Sequence, residues 1–179
     1  MPYSGAFVRI SIKMGVERMK KCIIFVMALV LAGGCAANAY DRESELRLKL
    51  FQEAMEYVGV CGRDEAANVW AKGLMERSAA MQYSVMDSPL KKQYAKSLQK
   101  SAPNWVTGVS SPWVSGYRVF DINETDDGLF LYSLTVYTES SAGPEGEYTA
   151  VLAIGRDGDF WRIKGIFTDE ELFAYTGFY

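Results

Sequence analysis

Histidine is absent from all 179 residues. It is the side chain whose ordinary pKa lies nearest neutrality and a common zinc ligand. Its absence removes Ser-His-Asp and Cys-His mechanisms and the usual zinc sites. Cysteine is scarce: Cys22, Cys35 and Cys61 are the whole set. The first two fall in a segment read below as export processing, so Cys61 has no intrachain partner and the core must hold without a disulfide. With no histidine to activate it, Cys61 is expected as a small buried apolar residue. Basic charge is also in deficit. Beyond residue 39 the chain keeps 14 Lys and Arg against 21 Asp and Glu, a net charge of −7. Such a surface is a poor partner for a phosphate backbone, and no nucleic acid is expected. The densest basic run, LKKQYAKSLQK at 90–100, reads as a solvated helix face.

The chain also lacks an apolar run long enough to span a bilayer, which takes about 20 residues. Its longest, CIIFVMALVLA, follows Arg18, Lys20 and Lys21 and has the length of a signal-peptide core. The preceding MPYSGAFVRISIKMGVER adds no export feature, so translation is expected to begin at Met19. Residues 1–39 are thus read as a signal segment and 40–179 as the domain. Two cleavage chemistries share the stretch LAGGCAANAY. Leu31-Ala32-Gly33-Gly34 before Cys35 has the form of a lipobox, which would attach lipid at Cys35 and tether the chain to the membrane outside the cytoplasm. Ala37-Asn38-Ala39 is an A-x-A site whose cleavage would release the chain at Tyr40. Lipidation is the favoured reading, secretion the alternative.

In 41–58 the residues Leu46, Leu50, Phe51, Ala54, Met55, Tyr57 and Val58 fall on one helical stripe. A second helix is expected from Asp64 to about Arg77, with Ala66, Val69, Trp70, Gly73 and Leu74 inward and Arg77 at the end suiting the dipole. AAMQYSVM is a short apolar piece. A third helix follows Ser88-Pro89, with Ser88 as cap, and buries Leu90, Tyr94 and Leu98. From Trp113 the period changes to about two. WVSGYRVFDI, LFLYSLTVYT, EYTAVLAIG and FWRIKGIF read as strands joined by NETDDG, ESSAGPEG and RDGD. Thr168 and Glu171 have capping-box spacing, which predicts a helix over 169–175. Helices first and strands after give an α+β fold, with helices packed on a curved four-stranded antiparallel sheet.

That order resembles the NTF2-like, or cystatin-like, α+β cone. WAKGLMERSAAMQYSVMDSPLKKQY (70–94) and NWVTGVSSPWVSGYRV (104–119) are similar to segments of uncharacterised NTF2-like domains in secreted bacterial lipoproteins. The resemblance covers residues 45–168. It implies the cone but supplies no catalytic motif, since NTF2-like enzymes use a His, Asp or Tyr set inside the cone that has no match here.

Carboxylates and tyrosines remain as candidate chemistry. Asp121, Glu124, Asp126 and Asp127 cluster at the first hairpin, but Leu134 stands where a calcium loop needs its bidentate Glu, so a polar turn is expected and no metal. Trp70, Tyr83, Trp105, Trp113, Tyr117, Tyr132 and Trp161 are expected mainly as core. If a ligand site exists, Trp113 and Tyr117 on one face of the first strand, with Ser110, Ser111 and Trp105 nearby, are its candidate residues. The resulting expectation is a non-enzymatic module without cofactor, tethered at the envelope and binding a small ligand or an envelope protein. Its rivals are a small extracytoplasmic enzyme using a carboxylate in the cone, and an accessory module for cell-wall proteins.

Overall fold

The computed structural model describes residues 42–178. The readings attached to Met19, Cys22, Cys35 and Ala39 therefore lie outside the described residues. The chain divides into two compact units, Met1–Gln52 and Glu53–Tyr179. Helix α1 covers 42–56, and Leu46 and Leu50 on it are exposed. The second unit continues with α2 (Arg63–Met75), α3 (Ala79–Ser84), α4 (Ser88–Ser101), β1 (Trp113–Glu124), β2 (Phe130–Ser140), β3 (Gly143–Asp157), β4 (Phe160–Thr168), a 3-10 turn (Glu170–Leu172) and α5 (Phe173–Thr176). The strands form one open antiparallel sheet in the order β1-β2-β3-β4. This is the α+β class read from the change of period.

One face of the sheet meets the helices. Along β2, Tyr132, Leu134, Val136 and Thr138 are buried and alternate with half-buried neighbours, as a one-sided sheet requires. Helix α2 touches β1, β3 and β4, and α4 touches β4. Trp70, Tyr94, Leu74, Leu98, Leu134, Leu152, Ile154 and Ile163 are all less than 2% exposed and belong to one core. The far edge of β4 is covered by isolated bridges from Val60 and Met86.

Several boundaries depart from the periodicity, each for a local reason. Helix α2 stops at Met75 because Arg77 takes a left-handed φ of 56°. Ser78 N–H then reaches Gly73 O at 2.8 Å and Arg77 N–H reaches Leu74 O at 3.2 Å, a Schellman closure. AAMQYS becomes α3, capped by Ser78 on Met81 N–H. The cap of α4 is Asp87, whose carboxylate accepts Leu90 N–H at 2.9 Å, while Ser88 donates to Glu56 instead. GPEG lies within β3 and not in the loop before it. At the C-terminus there is no capping box: Thr168 ends β4, and Asp169 accepts Thr149 N–H at 2.7 Å. Cys61 is free and exposed, because the adjacent Val60 takes the inward place through its pairing with Trp161.

The stripe expected on α1 does not form an apolar contact over its whole length. The helix ends at Glu56, Tyr57 is 83% exposed, and Ala54 and Val58 are exposed too. This end is held instead by its carbonyls. Arg162 donates to Glu56 O and Val58 O, both at 3.0 Å, and Lys91 donates to Met55 O. Two cations at a helix C-terminus satisfy orphan carbonyls and suit the macrodipole.

Candidate functional site

Trp113 and Tyr117 do not share a face. Val114 pairs with Thr138 and Gly116 with Tyr137, so Ser115 is an extra residue in β1. A bulge reverses the alternation beyond it, as a one-residue slip does. Tyr117 therefore lies opposite buried Val136 on the inner face, where its hydroxyl donates to Asn68 Oδ1 at 3.1 Å. Trp113 lies opposite Glu139 on the outer face and is 36% exposed. A second bulge between Val119 and Asp121 repeats the effect five residues on.

Ser110 and Ser111 are exposed ahead of β1. Trp105 is half-buried, stacked edge-on against Tyr83 with centroids 5.2 Å apart, and its φ of 61° lets its carbonyl accept Ala79 N–H at 3.1 Å. The candidate residues thus divide among an inner face, an outer face and a loop. They do not converge on one pocket. The nearest concavity is a cleft of about 210 Å³ bordered by Ser101, Val106, Thr107, Gly108, Val109 and Gly177. It is smaller than the roughly 300 to 1,000 Å³ of drug-sized sites, whereas a concavity of about 600 Å³ is bordered on α4 by Gln93, Lys96, Ser97, Lys100 and Ser101.

Polar residues outside the candidate set hold this loop. The Arg77 guanidinium donates to Thr107 O (3.1 Å) and Gly108 O (3.3 Å), and Arg77 O accepts Thr107 N–H (3.1 Å). Gln82, fully buried, donates to Thr107 Oγ1 and Tyr175 O, both at 3.1 Å. Tyr175 in turn donates to Pro112 O at 2.8 Å. Gly177, with φ 73°, brings the chain close against Leu98, Thr107 and Tyr94. The sole signal for Arg77 was its position at a helix end, which suggested a dipole role and not a strained backbone.

The second polar cluster is buried. Lys91 was read as part of a solvated face, yet it is 0% exposed. It sits one residue from Leu90 on the inward side of α4, with its ammonium 4.0 Å from Glu56 and 5.3 Å from the centroid of the Tyr83 ring. Burial, then the nearby Arg162 charge, lower its pKa from 10.5 to about 8, against the opposing pull of Glu56, Asp157 and Asp87. Arg162 is 3% exposed, donates also to Met86 O at 3.3 Å and lies 3.4 Å from Asp157. A lysine with a lowered pKa can serve as a base or nucleophile. Here its donors are engaged with α1, and its place in the architecture is that of a helix cap.

Several carboxylates have structural partners as well. Among the described residues Asp87 is the one buried carboxylate, and it caps α4. Asp64 is exposed and accepts the Tyr132 hydroxyl, whose pKa burial and this hydrogen bond both raise. The acidic hairpin closes as a turn: Gly128 has φ 78°, and Thr125 exchanges hydrogen bonds with Leu129. Among the described residues no group of three or more Cys, Asp and Glu side chains is placed to hold a metal ion. Comparison with protein-family models, curated proteins and solved structures finds no match to this chain.

Proposed function

We propose that the chain is an exported, NTF2-like domain, lipid-anchored at Cys35, that acts at the cell envelope as a non-catalytic module and binds a partner with its exterior. The observation that carries this reading is the close burial of large side chains on the inner side of the sheet. Trp70, Tyr94, Tyr132, Leu134, Leu152 and Ile154 occupy the inner side of the sheet at less than 2% exposure, which leaves that space to side chains. NTF2-like enzymes work inside the cone, so an inner side packed with large apolar side chains and Asp87, the one buried carboxylate among the described residues, engaged as a helix cap favour binding over catalysis. An envelope protein is favoured over a small ligand by the large apolar side chains outside. Phe120 on β1 is 54% exposed, Phe167 on β4 is 66% exposed, and Trp113 stands on the outer face. Exposed apolar groups of this kind mark contact surfaces when they gather into a patch.

Two measurements test the reading. Mass spectrometry of the mature N-terminus should find a lipid-modified Cys35; a free Tyr40 removes the anchor. Native mass spectrometry of the folded chain should find no bound small molecule. A stoichiometric organic ligand would overturn the reading in favour of an internal site.

A further inference from the structure

We propose that the outer face of α4 is a docking surface for an anionic lipid bilayer, and that it sets which side of the domain lies against the membrane. The inference rests on the anchored reading above. Lys92, Lys96 and Lys100 recur every four residues and so form one stripe on the helix. All three are exposed, and none forms an ion pair with a described residue. Helix α4 contains no Asp or Glu, although the chain beyond residue 39 carries a net charge of −7. Its polar surface is completed by Gln93, Ser97 and Ser101.

Helix α4 touches β4, at one edge of the sheet. Exposed Asp121, Glu124, Asp126 and Asp127 gather on β1 and the turn after it, at the other edge. Exposed Asp157 and Asp159 at the β3–β4 hairpin and Asp169, Glu170 and Glu171 after β4 are acidic too, so the attraction of a negative surface lies in the lysine stripe of α4 itself. The apolar side of α4, Leu90, Tyr94 and Leu98, is committed to the core, so the contact is electrostatic and the helix does not insert. The lysine carried inward, Lys91, takes no part.

Each lysine brought to an anionic surface raises binding by about fivefold, so three give about 100-fold as an upper bound, screened by salt. The test uses the mature chain recovered after export and vesicles of phosphatidylcholine, with or without phosphatidylglycerol. Sedimentation should show stronger binding to the phosphatidylglycerol vesicles, with the preference reduced about tenfold or more in K92Q/K96Q/K100Q and abolished at high salt. The circular dichroism of the triple variant should match that of the parent chain, since all three side chains are exposed. Equal binding to both vesicles, or a preference retained by the triple variant, overturns the proposal. Failure of the anchor is read separately: a chain without lipid loses its binding to phosphatidylcholine, while the lysine-dependent preference for phosphatidylglycerol stays.

Discussion

Replacing Lys91 by methionine tests how the interior treats a buried charge. The folded pKa is about 8 and the unfolded value 10.5. Between these limits the unfolded chain holds a proton that the folded chain has shed, so linkage makes stability rise with pH. The contribution is absent below pH 8 and complete above 10.5. Its ceiling is about 1.4 kcal/mol per pH unit and about 3 kcal/mol in all. A second process sets in above about pH 10, where unfolded tyrosines ionise. Burial raises the pKa of Tyr83, Tyr94, Tyr132 and Tyr175, so the folded chain keeps phenolic protons that the unfolded chain loses, and stability falls. The clean window is therefore pH 8 to about 9.5. Across it, urea unfolding followed by circular dichroism should show the parent chain gaining about 1.5 kcal/mol, while Lys91→Met, close in volume, stays flat. Parallel curves for the two proteins would refute the assignment.

Three further outcomes are expected from thermal or urea unfolding. Trp70→Ala should destabilise by about 3 to 5 kcal/mol because its ring is fully buried, whereas Trp113→Ala on the outer face should cost about 1 kcal/mol or less; equal losses would contradict the assignment of faces. Arg77→Ala should lose about 2 kcal/mol, and Arg77→Gly less, by about 1 kcal/mol, because glycine accepts φ 56° without strain; the reverse order would remove the left-handed cap. Gly177→Ala should destabilise by about 1 to 3 kcal/mol, since its new Cβ would lie 2.9 Å from Leu98 and 3.1 Å from both Thr107 and Tyr94 at a φ of 73°. A neutral result there would show that the loop shifts freely.

The fold class was legible because binary patterning is local. Of the residues expected inward on α2 and α4, Ala66, Trp70, Gly73, Leu74, Leu90, Tyr94 and Leu98 are buried and Val69 is half-buried, while Ala67, Ala71 and Lys91 are buried beyond that expectation. The candidate site was legible in its residue types but not in its geometry. Trp113 and Tyr117 are four residues apart, which means one face in a regular strand; Ser115 intervenes as a bulge, and its place is decided by pairing with Tyr137 and Thr138 on another strand. Nothing local to the segment encodes that. Lys91 shows the same limit. A charged residue beside Leu90 reads as solvated until the carbonyls of Met55, Glu56 and Val58 arrive from 33 or more residues away and supply partners for it and for Arg162.

By itself the sequence determined the lack of histidine chemistry, the order of helices and strands, and much of the core. These follow from composition and periodicity, which each segment carries alone. The tertiary structure decided which side of β1 each aromatic ring occupies, that Cys61 is outside, and that one lysine of the basic run is buried while Lys92, Lys96 and Lys100 are exposed. Each of these depends on contacts between residues distant in the chain, and only the folded arrangement brings them together.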